Sequence, residues 1–83
     1  MQIDAIFEHK SVEVFLKRRQ LLNQYKKAKQ HILNGRMKTV SFKLREPHSA
    51  GVWQFKINKQ YRAYVIFVDT KTIAVFSIDN HQK

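Results

Sequence analysis

Residues 53–65 read "WQFKINKQYRAYV". Apolar and aromatic side chains alternate with polar ones on both sides of a short polar break, the period of two strands with one buried face. Two cations, Lys56 and Arg62, lie inside the runs rather than at their ends. Opposed residues of an antiparallel hairpin share a face, so loop length decides where those cations go. A two-residue loop, Lys59-Gln60, sets Arg62 opposite Ile57 and drives a guanidinium toward the core, which is costly. A three-residue loop, Asn58-Lys59-Gln60, pairs Ile57 with Tyr61, Phe55 with Ala63 and Trp53 with Val65. The other face then carries Lys56 opposite Arg62 and Gln54 opposite Tyr64. A slip of one residue reverses every side chain, so the hydrophobic pattern selects the second register. Asn58 or Gln60 can supply the left-handed residue that such a loop needs.

The same argument extends in both directions. A three-residue loop at Asp69-Thr70-Lys71 pairs Phe67 with Ile73 and Val65 with Val75 on the core face. On the other face it sets Tyr64 against Phe76 and Arg62 against Ile78. Upstream, "TVSFKLR" points Val40, Phe42 and Leu44 one way and Ser41, Lys43 and Arg45 the other, and "EPHSAG" is a loop. Between Ser11 and Asn34 there is no Gly or Pro. Val12, Phe15, Leu16, Leu21, Tyr25, Ala28 and Ile32 recur there at helical spacing. Ser11 is a fair N-cap and Gly35 a good C′ residue. This segment is one helix of up to about 24 residues, or two helices broken near Arg19–Asn23. "QIDAIF", residues 2–7, reads as a short first strand.

The expected architecture is therefore α+β: an N-terminal helix or helical hairpin packed on one face of a small twisted antiparallel sheet, in a single domain spanning residues 1–83. Trp53, Phe55, Ile57, Ala63, Val65, Phe67, Ile73 and Val75 should pack against Phe15, Leu22, Tyr25 and Ile32.

Composition narrows the function classes. The chain of 83 residues carries 16 Lys and Arg against 6 Asp and Glu, a net charge of +10. Each half, residues 1–36 and 37–83, holds eight basic and three acidic residues, so the excess of +5 in each is no detachable tail. A surface this positive suits a polyanion or an acidic protein. Without cysteine there is neither a disulfide framework nor a thiolate metal site. His9, His31 and His48 lack metal-ligand spacing, so no metal and no other cofactor is expected. No apolar run approaches the roughly 18 residues of a membrane span, and the N-terminus lacks a signal-peptide core, so the expected location is the cytoplasm. Two glycines cannot supply a phosphate loop or a dinucleotide motif.

Two cations directly opposed on a sheet repel. An anion between them converts repulsion into attraction, and arginine grips phosphate with two parallel hydrogen bonds. Cations beside exposed rings also suit a phosphate together with a stacked base. The plainer alternatives are that both cations splay into water, and that a loop, a terminus or a partner covers the rings.

"GVWQFKINKQYRAYVIFV" followed by "IAVFSIDNH" resembles the RelE/ParE toxin superfamily of bacterial toxin–antitoxin systems. The shared pattern is an aromatic residue, a basic residue, "IN", a short turn, "YR", an apolar strand, and a last strand ending in a basic residue or His. Here these are Trp53, Lys56, Ile57-Asn58, Tyr61-Arg62, "AYVIFV" and Asp79-Asn80-His81. The likeness covers residues 39–81; the helical half agrees only in kind. It implies a metal-independent endoribonuclease that cleaves ribosome-bound mRNA by attack of the 2′-hydroxyl on the adjacent phosphate, and that a cognate acidic antitoxin neutralises. By position, Lys56 and Arg62 match the phosphate-holding basic pair and His81 the general acid. Lys43, Arg45, Gln54, Tyr64 and Phe76 are candidates for holding substrate on the same face. Many active members have a Tyr just past this His, whereas here "QK" follows, and Glu46 is a nearby carboxylate without an aligned role. The superfamily also contains ParE-type gyrase inhibitors that are not nucleases, and an inactive RNA-binding copy is a further alternative.

Overall fold

A computed structural model describes residues 1–80. The elements run β1 (Ala5–Glu8), α1 (Lys10–Arg18), α2 (Leu22–Leu33), a 3-10 turn (Met37–Val40), β2 (Lys43–Leu44), a second 3-10 turn (His48–Ala50), β3 (Val52–Lys56), β4 (Tyr61–Asp69) and β5 (Thr72–Asn80). Five strands form one sheet in the order β1-β5-β4-β3-β2. β2 to β5 are antiparallel neighbours, while β1 pairs with β5 in parallel, so the sheet is mixed. The parallel edge follows from connectivity: the two helices carry the chain from β1 over the sheet before the meander begins. The fold is α+β, with the helical hairpin on one face.

The helical segment takes its broken form. α1 closes on Gln20, whose φ is 57°. The Gln20 N–H donates to the Lys17 carbonyl and the Leu21 N–H to that of Leu16, the paired bonds of a Schellman stop. Gln20 adopts a conformation that glycine would take more cheaply. The turn also delivers Leu21 to the core, where it is 5% exposed. α2 ends in the same way on Gly35, φ 79°, with Gly35 N–H donating to Ile32 and Arg36 N–H to His31. The first cap departs from the sequence expectation: His9, not Ser11, is the N-cap, and its Nδ1 accepts the Ser11 N–H at 3.1 Å.

The core contains Phe55, Ala63, Val65, Ile73 and Val75 at 0% exposure, against Val12, Leu16, Tyr25, Ala28 and Ile32. Ile57 and Tyr61 are also buried. Trp53, Phe67, Phe15 and Leu22 are only partly buried, contrary to the expectation of full burial. Trp53 is covered by Phe42, stacked at 5.3 Å, and by Phe67, edge-on at 5.4 Å. The strand expected from "TVSFKLR" is mostly absent. Residues 37–40 form a 3-10 turn and Ser41 is left-handed at φ 52°, which leaves only Lys43–Leu44 to pair with β3.

One polar contact pins the edge strand to the helices. Tyr25 donates its hydroxyl to Glu8 Oε2 at 2.7 Å, and Lys29 Nζ lies 2.8 Å from the same oxygen. Burial first, then the bond to Glu8, pushes the Tyr25 hydroxyl well above its ordinary pKa. Tyr25→Phe is expected to cost about 1.5–3 kcal/mol at neutral pH, the usual range for a hydrogen bond to a charged group. Above about pH 10 the unfolded chain can release the Tyr25 proton while the folded chain holds it, so folding loses stability there. The gap between wild type and Tyr25→Phe should therefore narrow as pH rises past 10. Urea unfolding at pH 7 and pH 10.5 measures it, and a constant gap contradicts this account.

Among the described residues no helix is long and apolar enough to cross a membrane.

Candidate phosphate-binding face

The β3–β4 hairpin has the register chosen from the sequence. Phe55 pairs with Ala63 and Trp53 with Val65 on the core face; Lys56 pairs with Arg62 and Gln54 with Tyr64 on the other. The loop is closed by Asn58, whose side-chain oxygen accepts the N–H groups of Gln60 and Tyr61, each at 2.8 Å. This short polar side chain satisfies backbone donors that a three-residue loop leaves open. Lys43 pairs with Gln54. Lys43, Gln54 and Tyr64 thus form one row across the open face, with Lys56 and Arg62 in the next.

β5 departs from expectation. Phe67 meets Ile73 and Val65 meets Val75 as anticipated, but a bulge follows. Beyond it Tyr64 meets Ser77 rather than Phe76, and Arg62 meets Asp79 rather than Ile78. The extra residue reverses the alternation of the strand. Ile78 turns inward to pack on the core, and Asp79 comes to the cationic row. Phe76 is the extra residue itself. It is 41% exposed and borders a hollow beside Ser11, Val12 and Phe15 of α1. Phe76 therefore does not stand across from Tyr64 as a substrate-holding ring on the cationic face.

Asp79 is the residue that sequence reasoning missed. The Tyr64 hydroxyl donates to its Oδ2 at 2.9 Å. Above the Tyr64 ring lies the Arg45 guanidinium, 4.2 Å from the centroid. Desolvation, then the bond to Asp79, raises the Tyr64 hydroxyl above its ordinary pKa, although Arg45 and Arg62 pull the other way. At neutral pH Tyr64 is a neutral hydrogen-bond donor held in place from two sides. The signal for the bulge was in the sequence: the apolar residues Ile73, Val75 and Ile78 step by two and then by three.

Neither Lys56 nor Arg62 forms an ion pair among the described residues. Among the described residues no carboxylate oxygen lies within 4.0 Å of Lys56 or Arg62, and the ion pairs present there are Lys29–Glu8 and His48–Glu46. Lys56 is exposed and Arg62 half-buried. Arg62 borders an open hollow of about 320 Å³ together with Lys43, Leu44, Arg45, Glu46 and Gln54. The structure thus brings Lys43, Arg45, Gln54, Lys56, Arg62 and Tyr64 to one face. His81 lies outside the described residues. Glu46 sits at the rim, its carboxylate 3.2 Å from His48 Nε2. Among the described residues no cluster of His, Cys, Asp and Glu could hold a metal ion.

Chemically, this face can grip an anion from two cationic strands and offer a neutral phenol beside it. A guanidinium only donates hydrogen bonds, so Arg62 can bind and stabilise charge but cannot act as a base. Compared with models of known protein families and with curated protein sequences, the chain matches none.

Proposed function

We propose that the open sheet face binds RNA and that the chain is a toxin-type endoribonuclease resembling the RelE/ParE superfamily. The observation that supports this best is the Lys56–Arg62 pair, opposed across β3 and β4 with no carboxylate oxygen within 4.0 Å of either among the described residues. An isolated fold gains nothing by setting two cations together. A phosphodiester between them removes the repulsion and supplies two acceptor oxygens to the guanidinium.

In the reaction, a 2′-hydroxyl forms a bond to the adjacent phosphorus and releases its proton to water, while the bond from phosphorus to the 5′-oxygen of the next nucleotide breaks and that oxygen leaves with a proton. The products are a cyclic phosphate and a free 5′-hydroxyl. Arg62 stabilises the charge that builds on the non-bridging oxygens. Lys56, on the exposed side of the pair, binds the phosphate and raises the local concentration of polyanion. By resemblance, His81 protonates the leaving oxygen, for which an imidazole has a suitable pKa.

Induced expression followed by primer extension on cellular mRNA tests this reading. Cuts in phase with the reading frame are expected. Intact mRNA accompanied by gyrase arrest contradicts the ribonuclease and favours the ParE-type alternative.

The reading also includes an acidic antitoxin, cognate to a toxin of net charge +10. Electrostatic steering accelerates such encounters and is screened by salt. The association rate with a purified acidic antitoxin should fall roughly tenfold or more between about 50 and 500 mM salt. A rate independent of salt, measured by stopped flow, contradicts a role for the charge in partner capture.

A further inference from the structure

Gln54 is the polar side chain in the buried set. It sits in the middle of β3 on the open face, 5% exposed, between Lys43 and Tyr64. A buried amide ordinarily finds hydrogen-bond partners, because leaving them unmade is costly. Gln54 makes none with the described residues, yet neither amide atom is sealed from solvent. It lines the hollow shared with Lys43, Arg45 and Arg62. That hollow, about 320 Å³, is at the small end of the roughly 300–1,000 Å³ range of ligand sites.

The walls define what fits. Lys43, Arg45 and Arg62 only donate hydrogen bonds. The Glu46 carboxylate at the rim is turned to His48. Gln54 Oε1 is therefore the uncharged acceptor in the hollow, and Nε2 stands beside it as a donor. Arg45 adds a flat cation held against the Tyr64 ring, and Tyr64 is held by Asp79. Guanidinium planes stack on unpaired bases in RNA recognition.

We propose that this hollow is a base-reading subsite beside the Lys56–Arg62 phosphate site, in which the Gln54 amide pairs with the amino edge of an adenine and Arg45 stacks on its ring. The inference rests on the reading of this face as an RNA-binding surface. Adenine is favoured because its exocyclic amino group has a ring acceptor on each side, so it offers the donor–acceptor pair that glutamine matches on two edges. Cytosine offers such an edge once. Guanine and uracil can also meet the amide, through a ring N–H beside a carbonyl, but the N6–N7 edge of adenine is the one that glutamine ordinarily reads.

The test uses uncleavable 2′-O-methyl pentanucleotides, UUXUU with X each of the four bases, titrated against the intact protein by fluorescence anisotropy. Wild type should bind the adenine oligonucleotide about tenfold more tightly than the guanine or uracil ones, the order expected of one bidentate base contact. Gln54→Met has similar length and removes both polar atoms; it should retain binding and level the ranking. Arg45→Met keeps the amide and should weaken all four oligonucleotides. Equal binding of the four bases by wild type, or an adenine preference that survives in folded Gln54→Met, overturns the subsite and leaves RNA binding intact. Absence of binding to any oligonucleotide overturns both the subsite and the proposed function.

Discussion

Phe55→Ala is expected to lower the unfolding free energy by about 3–5 kcal/mol, the usual cost of truncating a buried phenylalanine. Phe55 is 0% exposed, lies on the core face of β3, and faces the Tyr25 ring at 6.2 Å between centroids. Its strand neighbours across the sheet, Ala63 and then Ile78, are fixed by pairing and cannot close over the void. A chain of this size buries only about 60% of its unfolded surface, and small domains hold roughly 5–15 kcal/mol in total. The variant should show a broad or absent thermal transition at temperatures where wild type is folded. Trp53→Ala should cost less, because Trp53 is only partly buried, its ring packed on Phe42 and Phe67. Urea unfolding followed by circular dichroism checks both. A loss below about 1 kcal/mol for Phe55→Ala contradicts the placement of the core on this face.

The contrast between Phe55 and Trp53 shows what the sequence could reveal. Alternation along β3 and β4, with two cations to be kept out of the core, had a single acceptable register, and that register is present. How fully each core-face residue is covered depends on helix length and crossing angle, and nothing in "WQFKINKQYRAYV" encodes it. The left-handed residues were illegible for a different reason. Gly35 announces its turn, whereas Gln20 and Ser41 adopt positive φ without being glycine, because surrounding packing outweighs a modest local cost. Ser41 is why the strand expected near residue 40 shrank to two residues.

The candidate site was legible to the same degree. Lys43, Arg45, Gln54, Lys56, Arg62 and Tyr64 share a face, as alternation requires. Phe76 and Asp79 were misplaced by one bulge, which strict alternation cannot represent. The three-residue step from Val75 to Ile78 is the one trace it leaves in the sequence. The bulge matters chemically, because it brings a carboxylate to Tyr64 and turns Ile78 away from Arg62.

Arg62→Ala carries the second large effect. Removing a preorganised donor from a site where charge develops costs on the order of 100- to 1000-fold in rate. The side chain contributes little to the fold. It is half-buried on the open face, its strand partners are Lys56 and Asp79, and no carboxylate oxygen among the described residues is within 4.0 Å of it. Its loss removes repulsion from Lys56 on one side and attraction to Asp79 on the other, so the thermal midpoint should be little changed. An effect on activity without an effect on stability separates a working cation from a solvated one. Lys56→Ala should behave similarly with a smaller loss, since an exposed ammonium is a less specific phosphate ligand than a guanidinium.

The most direct measurement is single-turnover cleavage of an RNA substrate, on ribosomes, by purified wild type and Arg62→Ala, with thermal unfolding recorded on the same preparations. The account predicts equal thermal midpoints and a rate for Arg62→Ala lower by about 100- to 1000-fold. A folded Arg62→Ala protein that cleaves at the wild-type rate contradicts it.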